Sequence, residues 1–279
     1  MLFVVYIMKK SKIMKILIGI AIIIAILTPV QLYVLGSMGG IGPLKHLQAE
    51  RISKLPGNAE IYNFSTIEQM ENSPLSGGNI CILGSSVVYG SASNQQAVGE
   101  YLAARFGCQL TKEAVSGTTL VDTGKNSYVQ RLQNNLPKDA QFDLFICQLS
   151  TNDATSKRPL GEISESKDIE DFDTSTVAGS LEFIICYAQQ SWDCPVVFFT
   201  GSHYESEAYD AMVNLLLKLE DKWDICVLDL WTDSEFNAIS DEDRSLYMSD
   251  KIHPTRAGYR EWWGPEMERQ LIEFLSIAE

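Results

Sequence analysis

The 279-residue sequence holds only three histidines, His46, His203 and His253, and no closely spaced Cys-x-x-Cys pair. No metal-ligand spacing can be assembled from so few donors, so a metal site is not expected. There is no glycine-rich phosphate loop, which argues against nucleotide use. Internal repeats and low-complexity tracts are absent too, which excludes solenoid and linker-type chains. Basic residues are scarce beyond residue 36, where 18 stand against 36 acidic ones, and the whole chain carries a formal charge of −14. Such a body repels phosphate backbones and anionic surfaces, so nucleic acid is not an expected partner.

What is present is enough to bury a full core: 46% of positions are hydrophobic and 21% charged, the composition of one globular domain with appendages. Three segments are expected. Residues 1–36 read as a membrane anchor or signal segment: Lys9, Lys10, Lys12 and Lys15 precede "ILIGIAIIIAILTPVQLYVLG", which is long enough to cross a bilayer. The lysines stay inside, which puts the body outside the cytoplasm, either tethered by a single pass or secreted after cleavage. Met8, directly before the lysines, is the more ordinary initiator. Residues 37–78 read as a stalk packing on the domain, with a short helix near 44–55, and residues 79–279 read as the domain itself. Cys81, Cys147 and Cys226 lie inside apolar runs, where cysteine behaves as a small hydrophobe; a disulfide framework is the alternative for an exported chain.

From Asn79 onward, apolar runs alternate with segments of helical period. The runs are "ICILG", "CQLTKEAV", "FDLFICQL", "PVVFFTG" and "ICVLDLW". Between them Val98, Tyr101, Leu102 and Phe106 mark one helix face, and Met212, Leu215, Leu216, Leu219 and Trp223 another. A third helix is expected over 177–190 and a last one following Pro254, whose fixed φ suits a first helical turn. Alternation of this kind predicts an α/β fold, a three-layer α/β/α sandwich on a five-stranded parallel sheet. Ligands of open parallel sheets bind beyond the carboxyl ends of the strands, so the residues just after each run matter most.

Those residues are Gly84, Ser85 and Ser86; Ser116, Gly117 and Thr118; and Ser150, Thr151, Asn152 and Asp153. Downstream, "SDKIHPTRAGY" places Asp250 and His253 three residues apart, within reach of each other in one tight turn. A serine hydroxyl needs a base, and the base needs an acceptor that fixes its tautomer; Ser86, His253 and Asp250 can fill these roles. The backbone N–H groups of Ser86 and Gly117 and the side-chain amide of Asn152 are candidate oxyanion donors. Ser116 is the rival serine. His203, in "TGSHYES", and Asp153 are candidate substrate contacts, whereas His46 belongs to the stalk. The acidic segment 155–176 is either a lid or a solvated insertion.

Taken together, the blocks "LGSSVVYG", "EAVSGTT", "LSTND" and "SDKIHPTRAGY" resemble those of the SGNH hydrolases, the GDSL esterase and lipase family. A Gly-x-Ser-x-Gly elbow, the mark of the other large serine-esterase fold, is absent. The resemblance covers about residues 79–275 and keeps the block order. It implies a flavodoxin-like fold, an ester-hydrolysing enzyme without cofactor, Ser86 as nucleophile, His253 as base, Asp250 as its partner, and Ser86, Gly117 and Asn152 as the oxyanion hole. Short-chain or acetyl esters on a glycan or a lipid are the implied substrates; acyl transfer to a carbohydrate would use the same residues, and a non-catalytic surface binding module is the reading from another class. Two positions depart from the family pattern: Ser85 stands where the family keeps an acid, and Ser150 where it keeps a glycine. Oligomeric state is left open by the sequence.

Overall fold

The structure, a computed structural model, describes residues 46–277 together with Thr28 and Gln31. The chain divides into two units, Met1–Lys54 and Leu55–Glu279. In the first, helix α1 (His46–Ser53) occupies the region where a short helix is expected. The expected anchor or signal segment lies outside the described residues but for Thr28 and Gln31. Among the described residues no helix is long and apolar enough to cross a membrane.

The second unit is built on five strands: β1 (Asn79–Gly84), β2 (Gln109–Ala114), β3 (Leu144–Gln148), β4 (Val196–Phe199) and β5 (Cys226–Leu228). They lie in the order β2-β1-β3-β4-β5 with every neighbouring pair parallel. Alternating side chains feed two separate cores, as strand pleating requires. Cys81, Leu83, Phe145, Cys147 and Phe198 pack with helices α4 (Tyr128–Asn135), α6 (Val177–Ser191) and α7 (Glu207–Trp223). Ile80, Ile82, Leu144, Ile146 and Phe199 pack on the other face with helix α3 (Val98–Phe106), Tyr259, Trp263 and Met267. Helices therefore cover both faces, and the three-layer sandwich is present. Both faces being buried explains why the strands β1, β3 and β4 read as continuous apolar runs. All six cysteines are free thiols.

Two short helices, α2 (Ser86–Tyr89) and α5 (Thr151–Thr155), follow β1 and β3 directly. In an order 2-1-3-4-5, chain connections leave β1 and β3 in opposite directions, opening a crevice at their carboxyl ends. Helices α8 (Ser234–Asn237) and α9 (Asp241–Tyr247) precede the segment that carries Asp250 and His253. That segment refines one expectation. The last helix does follow Pro254, starting at Arg256, but Pro254 itself pairs with Met248 in an antiparallel bridge and stays outside the first turn. Thr255 then accepts the N–H of Gly258 at 3.2 Å, and a π-helical turn, Gly258–Trp263, leads into α10 (Gly264–Ile277).

Residues 55–78 belong to the same unit as the sheet. Phe64 and Leu75 are buried in its second core, the Asn58 side chain donates to Ala92 O at 2.8 Å, and Arg260 donates to Asn63 O at 2.7 Å. Segment 155–176 is tied down rather than free. Lys222 donates to the carbonyls of Ser164 (2.5 Å) and Ser166 (2.7 Å), Glu182, fully buried, accepts the Ser164 N–H at 2.8 Å, and Phe172 packs into the first core.

Candidate active site

Strand β1 ends at Gly84, where any side chain would collide: a Cβ would lie 2.2 Å from Val88 Cγ2 and 2.9 Å from Gln148 Oε1. Only glycine lets α2 fold back so tightly on the strand. The next two serines face opposite ways. Ser85 is fully buried and gives both its N–H (2.9 Å) and its hydroxyl (3.3 Å) to Gln148 Oε1, which also accepts from the Tyr128 hydroxyl at 3.3 Å. Ser86, the first residue of α2, places its Oγ 2.8 Å from His253 Nε2.

The other ring nitrogen of His253, Nδ1, lies 2.9 and 3.0 Å from the two oxygens of Asp250. Asp250 Oδ1 also accepts the backbone N–H groups of Ile252 (2.8 Å) and His253 (2.9 Å), so one carboxylate closes the turn and aims the ring. Partial burial opposes ionisation of Asp250, but the His253 ring and these N–H donors outweigh it and hold the carboxyl down to about 2. An ionised carboxylate only accepts. Nδ1 of the neutral ring therefore carries the proton, and Nε2 is left with a lone pair facing the Ser86 hydroxyl. The side chains open gradually to solvent, with Asp250 55% exposed and His253 25%.

Gly117, after β2, has φ +80°, and a Cβ there would meet nothing within 4 Å, so the backbone conformation alone favours glycine. The next residue, Thr118, links it to β3: Thr118 O accepts from Ser150 Oγ at 3.1 Å and from Asn152 Nδ2 at 2.9 Å. One amide hydrogen of Asn152 is thereby spent on orientation, and the second remains for a ligand. The N–H of Ser86 belongs to the first turn of α2, whose donors have no helical acceptor.

Ser150 has φ −73° and ψ 124°, ordinary for any residue, and its hydroxyl also caps α5 by accepting the Asn152 N–H at 3.2 Å. The replacement of glycine there is thus put to use. Ser116 pairs with the Ser91 hydroxyl at 2.7 Å rather than with a histidine.

Asp153 requires a correction. It is fully buried, and its oxygens accept Leu120 N–H (2.8 Å) and Val121 N–H (3.1 Å), so it braces the loop after Gly117 instead of facing a substrate. Burial pushes its carboxyl up to about 6, the two backbone donors, Ser150 and Arg158 pulling the other way. His203 is not in contact with the Ser86–His253 pair. It is exposed, with its ring 4.7 Å from that of Trp231.

Sequence reasoning missed Arg131. On α4, 1% exposed, it donates to Gly84 O (2.9 Å), Thr118 Oγ1 (3.1 Å), Glu113 O (3.1 Å) and Glu113 Oε1 (3.0 Å). One guanidinium thus joins the end of β1 to the Gly117 loop. The signal was an arginine on the buried face of a helix, beside Tyr128, Val129 and Leu132.

A serine hydroxyl, an imidazole and a carboxylate in hydrogen-bonded series at the carboxyl edge of a parallel sheet define a serine hydrolase arrangement. The family model of the GDSL-like Lipase/Acylhydrolase family matches residues 82–261, and the chain belongs to this family, the SGNH hydrolases. It is an ester-hydrolysing serine hydrolase. Solved structures share the fold. A Lactobacillus plantarum protein is 21% identical with a TM-score of 0.57, over 72% of this chain and 97% of its own. A Bacteroides ovatus protein described as a GDSL-like lipase is 17% identical with a TM-score of 0.52, over 72% and 99%. A Desulfitobacterium hafniense protein described as lipolytic, of the G-D-S-L family, is 14% identical with a TM-score of 0.51, over 70% and 99%. No curated protein matches the chain by sequence.

Proposed function

We propose that the chain hydrolyses short-chain carboxylic esters outside the cytoplasm through an acyl-enzyme on Ser86. The observation that carries this reading is the 2.8 Å contact of Ser86 Oγ with His253 Nε2, with Asp250 closing the series on Nδ1. Ser86 Oγ attacks the ester carbonyl carbon while His253 Nε2 takes its proton. Negative charge moves onto the carbonyl oxygen, and the N–H groups of Ser86 and Gly117 and the free amide hydrogen of Asn152 receive it. Collapse expels the alcohol, which takes the proton back from His253. Water then attacks the acyl-Ser86 carbonyl by the same route and releases the acid.

The lysines ahead of the apolar N-terminal run support single-pass membrane anchorage or secretion, with the hydrolase domain outside. The test is p-nitrophenyl acetate hydrolysis and fluorophosphonate labelling of the full chain. Wild type labels and turns over, and Ser86→Ala loses labelling and on the order of a thousandfold or more in rate. Undiminished hydrolysis by Ser86→Ala would remove Ser86 from the reaction.

A further inference from the structure

A cavity of about 460 Å³ opens farther along the same sheet edge, among the loops that follow β4 and β5 and the first turns of α7. His203, Asp210, Asn214, Trp231, Ser234 and Asn237 line it. Its wall is held before any ligand arrives. Trp231, 3% exposed, donates its indole N–H to Asp210 Oδ1 at 2.6 Å and packs against the rings of Tyr204 and Tyr209 at 5.0 and 4.7 Å. The Asn237 amide donates to Leu230 O and Asp233 O, both at 2.7 Å, while its oxygen accepts the His203 N–H at 2.8 Å. Among the described residues the second oxygen of Asp210, the Asn214 amide, the Ser234 hydroxyl and the His203 ring nitrogens hydrogen-bond to no protein group, and they are the groups left for a ligand.

Their chemistry narrows the ligand. No lysine or arginine lines the cavity, and one carboxylate does, on a chain of net charge −14, so phosphates and carboxylates are disfavoured. Apolar lining beyond the indole is limited to Val213 and Ala238, too little for an alkyl chain. A neutral ring that donates and accepts through several hydroxyls satisfies the remaining groups. Strands in a sheet are about 4.8 Å apart, so β4 and β5 stand about 10 and 14 Å from β1, across β3. A short oligosaccharide spans that distance, and a lone acetyl group or simple alcohol does not.

We propose that this cavity binds a sugar ring of a neutral glycan whose acylated ring is held at Ser86, an assignment that rests on the esterase reading above. The cavity then selects the alcohol side of the ester, not the acyl side.

The test uses the full chain, with xylotetraose, cellotetraose and chitotetraose as binding probes and their O-acetylated forms as substrates beside p-nitrophenyl acetate. Ala238→Trp fills the cavity at an exposed position, and Asn214→Ala removes one amide. For the accepted acetylated tetrasaccharide, relative to p-nitrophenyl acetate, Ala238→Trp lowers kcat/KM at least about tenfold and Asn214→Ala about fivefold, through KM. An unchanged ratio in both variants overturns the subsite. Saturation-transfer NMR on Ser86→Ala separates the two readings: a tetrasaccharide bound there and lost on adding Ala238→Trp supports the cavity even if wild type hydrolyses nothing. No binding of any neutral tetrasaccharide, or tighter binding of tetragalacturonate, overturns the proposal.

Discussion

The two ends of the sheet's carboxyl edge are built in opposite styles. Beyond β1, β2 and β3 nearly every polar group is committed: Gln148 takes Ser85 and Tyr128, Arg131 takes Gly84 and Thr118, Asp153 takes Leu120 and Val121, and Ser150 takes Thr118. Beyond β4 and β5 an aromatic wall leaves a carboxylate oxygen, an amide and a hydroxyl facing open space. The first end holds Ser86, Gly117 and Asn152 on three separate strand ends through these bonds. Groups that meet developing charge must be fixed beforehand, because reorganising them during reaction would forfeit their effect. Groups that recognise a bound partner need only be rigid at the wall and free at the tip.

The comparison can be broken at its committed end. Asp250→Asn keeps the size of the side chain but removes the charge, and it allows the wrong tautomer of His253. It is expected to lower kcat by on the order of a thousandfold to ten-thousandfold at pH 7, measured with p-nitrophenyl acetate. Because Asp250 is held down to about 2, below its usual 3.8, it stays ionised in the native state at mildly acidic pH. Any stability it lends is present above about pH 4 and is lost only as pH falls toward 2. An Asp250 carboxyl carbon signal that titrated above pH 4 in NMR would contradict this assignment.

Arg131→Met tests the stitching of β1 to the Gly117 loop. It strips donors from Gly84 O and Thr118 and leaves Glu113 without its ion pair, and a loss of about 3 kcal/mol is expected in urea unfolding. Arg131→Lys keeps the charge without the planar fork and recovers only part of it. Full stability in Arg131→Met would show that the loop is held by other means.

The smallest effect belongs to Asp153. Its native carboxyl is raised to about 6 from 3.8, so its contribution to stability is full below about pH 4 and is eroded as pH rises through 6. Asp153→Asn cannot ionise. Comparing urea midpoints at pH 4 and pH 7 should show wild type losing more stability than the variant over that interval, and a parallel loss would refute the assignment.

Much of this was legible from residue order. The runs "ICILG", "FDLFICQL" and "PVVFFTG" became strands because continuous apolar runs fit a sheet covered on both faces. Helix α3 spans Val98–Phe106, the residues whose three- and four-residue spacing marked it. Asp250 and His253 were paired by proximity in one turn. Asp153 was misplaced because its blocks suggest exposure at a strand end, whereas the loop from Thr118 to Val121 folds over it. Arg131 was overlooked because its partners, Gly84 and Thr118, are backbone and loop groups with no pattern of their own. Pro254 precedes the last helix, as its fixed φ suggests, but its bridge to Met248 keeps it out of the first turn.

The sequence by itself determined the local periods, the four blocks and the tight turn from Asp250 to His253, because each depends on residues within a few positions of one another. The block pattern puts the nucleophile at the second of two adjacent serines, and only the tertiary structure shows what each of them meets. Ser85 and Ser86 are chemically identical, and one turns inward to Gln148 while the other meets His253, 167 positions away. That choice rests on the direction in which α2 leaves β1. Contacts across the whole sheet set this direction, and neither serine encodes it.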